Sequence, residues 1–200
     1  MKHVVKGDEP ASFQHWKQQN RPTTDWSDFS GTEVYQELKS TLIEQQGELC
    51  CYCEIALKQN TDAHVEHLKN RQNYPRKKFD FQNLLASCQH NYCCGHKKGN
   101  GYFADMVSPL NADCQSRFTY TGNGKIIPSD EDDTSAQKTI ELLALNCKRL
   151  RDQRESIIKN LDDTLRTTDA IDSDYLQHWI EWYGFFTVIQ YVAAKNGASI

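Results

Sequence analysis

Cys50, Cys51, Cys53, Cys88, Cys93 and Cys94 place six of the chain's eight cysteines within 45 residues, leaving only Cys114 and Cys147 outside. That spacing constrains the fold more than any other feature. Cys50 to Cys53 is a C-x-x-C knuckle, and Cys88 with Cys93 or Cys94 is a second, looser pair. Two such pairs can set four thiolates tetrahedrally around one zinc ion, which prefers soft sulfur ligands and closes its shell with four of them in a structural site. The spacing predicts Cys50, Cys53, Cys88 and Cys94 as ligands. Cys93 can take the place of Cys94, because adjacent residues do not easily both bind in one regular site. The competing reading is a set of buried, inert thiols. A disulfide framework is not expected, since the N-terminus MKHVVKGDEPASFQHWKQQ has no apolar secretory core and a cytoplasmic compartment keeps thiols reduced.

At 200 residues the chain suffices for one domain of ordinary size, with or without a small appended one. Aromatics at 10% speak against disorder, and a mean hydropathy of -0.74 with no long apolar run speaks against a membrane span. The net charge is -4, yet residues 68–99 carry seven cations against the single acid Asp80, which leaves the remainder at -10. A basic island in an acidic chain is the footprint of a local phosphate contact rather than of a protein that coats nucleic acid.

Asp62-Ala63-His64-Val65-Glu66-His67-Leu68 alternates with period two and predicts a short strand, with His64, Glu66 and Leu68 on one face and Val65 and His67 on the other. A carboxylate beside an imidazole divides hydrolytic work well: the acid holds a hard cation and the imidazole takes a proton from water. Asn83 follows sixteen residues after His67, and Cys94-Gly95-His96-Lys97-Lys98-Gly99 adds another histidine and two lysines.

Taken in order, C-C-Y-C-E, H-V-E-H, F-D-F-Q-N-L-L-A-S-C and C-G-H-K-K-G resemble an HNH endonuclease of the zinc-knuckle type. More narrowly, the chain is similar to the HNH subunit of Septu-type antiphage systems and of their retron-associated relatives. The likeness continues through Val107-Ser108-Pro109-Leu110, Cys114, Phe118, Gly124-Lys125-Ile126 and the stretch 138–146. The resemblance implies a ββα-metal finger embedded in a helical scaffold, an α-rich α+β fold. His67 is then the general base, Glu66 and His96 hold a catalytic Mg²⁺ or Mn²⁺, and Asn83 holds the loop and orients the His67 ring. Lys97 and Lys98 are expected on flanking phosphates, with Lys77 and Lys78 extending the track. His64 shares the face of Glu66; a supporting role is favoured over a place on the metal. The gap between Cys88 and Cys94 is wider than the usual two residues. The implied substrate is DNA, with RNA the alternative, and the implied partner is an ABC-type ATPase. The chain has no Walker A string of its own, no G-x-S-x-G elbow, no repeat and no basic recognition helix. The rival to a nuclease is a non-catalytic zinc module that binds nucleic acid or a partner protein.

Around the nuclease core at 48–105, residues 1–47 are expected to form an extended arm and a helix, and 106–200 a short-strand segment followed by helices. Ser30 and Glu33 suggest a capping box, with Val34, Leu38, Leu42 and Ile43 as an apolar stripe ending at Gly47. The acidic run 130–133 reads as a solvated linker. One helix is expected over 134–167, with Arg149, Arg151 and Arg154 on its polar side, and a second, aromatic-rich one over 173–195, buried or docking a partner.

Overall fold

The computed structural model describes residues 1–167 and 173–198; the rest of the C-terminal segment lies outside the described residues. The architecture is α-rich, with two small antiparallel sheets. Residues 1–30 are not an extended arm. They form α1 (Ala11–Gln19) and α2 (Trp26–Ser30). Phe13 and Trp16, three apart, share one face of α1 and meet Phe29 at ring-centroid distances of 5.2 and 4.5 Å. Burying this aromatic face is what makes so short a helix worth forming.

α3 (Glu33–Gln45) is capped by Thr32, whose Oγ1 accepts from the Tyr35 amide at 3.2 Å. Ser30 instead closes α2, donating to the Ser27 carbonyl. Leu38, Leu42 and Ile43 are buried as the apolar stripe requires. The chain then turns at Gly47, whose φ of +65° suits glycine. β1 (Ala63–His67) pairs antiparallel with β2 (Leu84–Cys88), Glu66 opposite Leu85 and His67 opposite Leu84. α4 (Cys94–Lys98) packs on this hairpin. A second hairpin joins β3 (Phe118–Tyr120) to β4 (Ile126–Pro128).

Each of the two long C-terminal helices expected from the apolar periodicity is divided in two. The first becomes α5 (Thr134–Leu142) and α6 (Lys148–Thr167). Between them Leu143 and Leu145 are fully buried, and the Leu143 carbonyl, freed from helical bonding, accepts from the amide of Cys94 at 2.8 Å. Arg154, expected on the polar side, is buried and donates to the Gly124 and Leu145 carbonyls at 2.7 and 2.6 Å. The second becomes α7 (Ser173–Tyr183) and α8 (Phe186–Lys195), broken at Gly184 with φ +72°. A Cβ there would lie 2.1 Å from the Glu54 carbonyl oxygen, so only glycine lets the chain pass the cysteine knuckle. The Glu54 side chain reinforces the junction, accepting from the Thr187 amide at 2.8 Å and its hydroxyl at 2.6 Å. One apolar core runs through all three stretches, from Met1 to Ala193. Among the described residues no helix is long and apolar enough to cross a membrane.

The acidic run is not wholly linker. Asp133 caps α5 through the Ala136 amide and receives a bidentate Arg117, Nε at 2.8 Å and Nη2 at 2.6 Å. Asp133→Ala is expected to cost about 1–2 kcal/mol, the usual worth of such a cap. The Arg117 guanidinium holds the Asp133 carboxyl below its ordinary 3.8. A carboxyl with a lowered folded-state pKa stabilises the fold above the ordinary value and ceases to do so as pH falls through the lowered one. The difference between wild type and Asp133→Ala in urea melts is therefore expected to be flat from pH 5 to 8 and to shrink below pH 4.

Candidate functional site

The four predicted cysteines come together. The Sγ atoms of Cys50, Cys53, Cys88 and Cys94 all lie within 4.8 Å of one another, every residue buried, in an arrangement that could hold a metal ion. The knuckle loop delivers two of them: the Glu54 amide donates to the Cys50 carbonyl and the Cys50 amide to the Ile55 carbonyl. Cys88 ends β2, and Cys94 opens α4 with a left-handed φ of +56°. That backbone turn aims Cys94 into the cluster while Cys93, also buried, stays outside the four. Burial opposes ionisation of the Cys50 thiol, yet the neighbouring thiols of Cys51, Cys53, Cys88 and Cys94 together hold it well below its usual range. A buried sulfur that favours the thiolate among three more thiols is suited to a soft-ligand cation.

The cluster fixes α4 against the end of β2, and an open cleft of about 420 Å³ lies between α4 and the neighbouring β1, lined among others by Trp26, His64, Glu66, His67, Arg71 and His96. Period-two alternation in β1 puts His64 and Glu66 toward α4. Glu66 is buried; its Oε1 takes the Lys98 ammonium at 2.8 Å and the Tyr52 hydroxyl at 3.2 Å, and its Oε2 lies 3.5 Å from His64 Nε2. Burial would raise the Glu66 carboxyl, but the hydrogen bond to His64 and the charge of Lys98 bring it below its ordinary value, so it is ionised. His96, exposed on α4, has its ring centroid 4.1 Å from that of His64, with the planes tilted by 42°. Its Nε2 is bonded to Gln89 Oε1 at 2.8 Å, which leaves Nδ1 free.

His67 occupies the opposite face of β1, with its ring edge-on to Trp26 at 4.3 Å. Its Nε2 donates to the Lys78 carbonyl at 2.9 Å; a carbonyl can only accept, so Nδ1 keeps the lone pair. Burial lowers the His67 pKa to about 4, and the ring is neutral at neutral pH. Asn83 does not touch this ring. It is buried and clamps the loop that does, its Oδ1 accepting from the Lys69 amide at 2.8 Å and its Nδ2 donating to the Lys69 and Lys77 carbonyls at 3.0 Å. Asn83 is thus a positioning residue for the Lys78 carbonyl. Asn83→Ala leaves two loop carbonyls and an amide without partners, and is expected to cost about 2–4 kcal/mol in a denaturant melt. Asn83→Asp keeps the acceptor and is expected to cost less.

The lysines are distributed differently from the expectation. Lys97 is exposed on α4, but Lys98 is buried, with Nζ on Glu66 and on the His67 carbonyl, and does not present its charge to a phosphate. A five-residue helix has only one face on the hairpin, and Lys98 falls on it. Lys77 pairs with Asp80, and Lys78 donates to the Thr24 carbonyl. Arg71 supplies the cleft's cation instead, with its guanidinium 5.4 Å from the Trp26 ring centroid. Only its place in the basic island signalled it. Gln89 carried no sequence signal, because its value lies in reaching His96 across space.

No family model matches the chain. It is 33% identical over 152 residues to the “Retron Vc95 putative HNH endonuclease” of Vibrio cholerae serotype O1 biovar El Tor, covering 70% of this chain and 72% of that protein. It is 26% identical over 213 residues to the “Retron Ec83 putative HNH endonuclease” of Escherichia coli, covering 83% and 82%. With the cysteine cluster and the β1–β2–α4 cleft in place, this level and extent of identity means that the chain belongs to the retron-associated HNH endonuclease family.

Proposed function

We propose that this chain is a metal-dependent endonuclease that hydrolyses phosphodiester bonds of nucleic acid, with β1, β2 and α4 acting as the ββα-metal finger. It would serve in the cytoplasm as effector of a bacterial antiphage system, of retron or Septu type, beside an ABC-type ATPase. The observation that carries the reading is a neutral imidazole with a free Nδ1, His67, in the same cleft as an ionised Glu66 and His96.

The residues fit the two ions such an enzyme needs. The four buried thiols suit a structural Zn²⁺. Glu66 Oε2 is directed to the His64 side of the cleft, away from the Lys98 bond, and Gly95 lets α4 close on that side, since a Cβ there would lie 2.6 Å from both Glu66 Oε2 and His64 Nε2. Glu66 and His96, which both line the cleft, would hold Mg²⁺ or Mn²⁺ there. When bound, such an ion supplies positive charge to a scissile phosphate and its leaving oxygen.

The chain's own groups do the remaining work. His67 Nδ1 takes the proton of the attacking water, and the Lys78 carbonyl holds the imidazolium that forms through Nε2–H. Asn83 keeps that carbonyl in place. Trp26 restricts the ring to one orientation. Arg71 and Lys97 hold flanking phosphates, and Lys98 keeps Glu66 ionised by pairing with it.

The test is cleavage of end-labelled DNA and RNA by the protein purified with its ATPase partner. Cleavage with Mg²⁺ or Mn²⁺ that EDTA stops is the expected result, and comparison of the two polymers identifies the substrate. Nucleic acid bound but uncut, with only the four-cysteine ion retained, would show a non-catalytic zinc module instead.

A further inference from the structure

A second recess, of about 280 Å³, lies one aromatic contact away from the cleft. Trp26, which lines the cleft, stacks on Phe79 at 5.6 Å with the planes 25° apart, and Phe79 meets Trp16 at 5.0 Å. Phe79 and Trp16, both half-buried, form the apolar wall of the recess. Their planes are tilted by 56°, so they make a corner in which a flat ring can rest on one and abut the other. Two arginines join this wall from different stretches, Arg21 from the segment after α1 and Arg76 from the turn Pro75–Lys77. Both are exposed, and among the described residues neither guanidinium has an ion pair or a hydrogen bond. The other charges on the wall are already matched, Lys17 by Glu9 at 2.6 Å and Asp80 by Lys77 at 2.7 Å.

We propose that this recess seats one unpaired nucleotide of a single-stranded substrate beside the position being cut, its base on the Trp16–Phe79 corner and its phosphates on Arg21 and Arg76. The inference rests on the nuclease reading of the cleft and adds the strandedness of the substrate to it. A base inside a duplex has both faces covered by its neighbours and offers only edges in the grooves. A single strand offers a bare π-face and a charged backbone together, which is what an aromatic corner flanked by open guanidinium groups can hold. Phosphate contacts alone would need no aromatic wall, and an apolar ligand would need no arginines. Guanidinium groups are weakly hydrated and match phosphate oxygens bidentately, so two unpaired ones are suited to the flanking phosphates. Phe79 directly follows Lys78, whose carbonyl holds His67 Nε2. The backbone that orients the proposed general base therefore also carries a wall of the recess, and a base seated there sets the register of the strand over His67.

The test is fluorescence anisotropy of labelled 12-nucleotide DNA and RNA single strands and their duplexes on the zinc-loaded full chain, without Mg²⁺ or Mn²⁺. Single strands are expected to bind at least about tenfold tighter than duplexes, and one abasic position walked along the strand to cost about 5–150-fold where it meets the recess. In Trp16→Leu that abasic penalty is expected to vanish. Arg21→Gln with Arg76→Gln, at exposed positions that leave folding unchanged, is expected to flatten the salt dependence of log K by about 1.4, two single-strand phosphates' worth. This charge variant keeps the proposal testable if Trp16→Leu fails to fold. Equal affinity for duplex and single strand, a flat abasic walk, or an unchanged salt slope would overturn the proposal. A nucleoside monophosphate that displaces the strand at equal concentration would assign the recess to a free nucleotide and overturn it as well. Cleavage in Mg²⁺ or Mn²⁺ separates the levels: wild type that cuts but prefers no strand form loses only the recess, whereas the expected binding without cleavage keeps the recess and removes the nuclease reading.

Discussion

His67→Ala is expected to slow phosphodiester cleavage by about 10²–10⁴-fold, the usual worth of a positioned general base, while leaving nucleic-acid affinity and folding close to wild type. The selectivity follows from what the ring touches. It spends Nε2 on the Lys78 carbonyl and packs edge-on against Trp26, so truncation forfeits one hydrogen bond and one aromatic contact. The lost hydrogen bond is worth about 1 kcal/mol. Its Nδ1, by contrast, makes no structural bond and is the group available to water. Single-turnover cleavage of labelled nucleic acid with saturating metal gives the rate, and a melt of the same preparation gives the stability. A variant that cleaves within a few-fold of wild type would remove His67 from the chemistry. A variant that melts far below wild type would show the ring to be a structural element of the Lys78 loop.

The largest effect on stability is expected at the cysteine cluster. Cys53→Ser is expected to lose the bound metal and to lower Tm by about 10 °C or more, since structural zinc contributes several kcal/mol to folding and each kcal/mol moves Tm by roughly 2–4 °C in a domain of this size. The cluster joins the knuckle loop to the end of β2 and the start of α4. α4 is only five residues long, too short to persist by its own backbone bonds. Its detachment would carry His96 and Lys98 away from Glu66, so catalysis is expected to fall with the metal. Elemental analysis should find one zinc ion per wild-type chain, and none in Cys53→Ser. Cys51→Ser and Cys93→Ser, which lie beside the four but outside them, are expected to keep the ion. Retention of metal by Cys94→Ser with loss in Cys93→Ser would reverse that assignment.

Much of the site was legible because its signals are local. The C-x-x-C knuckle follows from spacing, and the period of β1 alone put His64 with Glu66 and His67 on the other face. No local signal says that α4 will bring His96 and Gly95 against the face of His64 and Glu66. Apolar periodicity located the C-terminal helices but not their interruptions. Those occur where a distant backbone needs a partner: Leu143 turns its carbonyl to Cys94, and Gly184 makes way for Glu54. The chemistry of Lys98 was legible as a positive charge. Its burial against Glu66 was not, since a helix of one turn reveals its inner face only once something is packed on it.

The amino-acid order on its own determined which side chains are available, their alternation along β1, and the cysteine spacing that can close on one ion, all consequences of backbone geometry over a few residues. Only the tertiary structure decided which charges are neutralised and which imidazoles meet. Burial, pairing and the tautomer of His67 depend on groups brought together from α2, the 69–78 loop, β1 and α4, and their free energies exist only when water has been displaced between them.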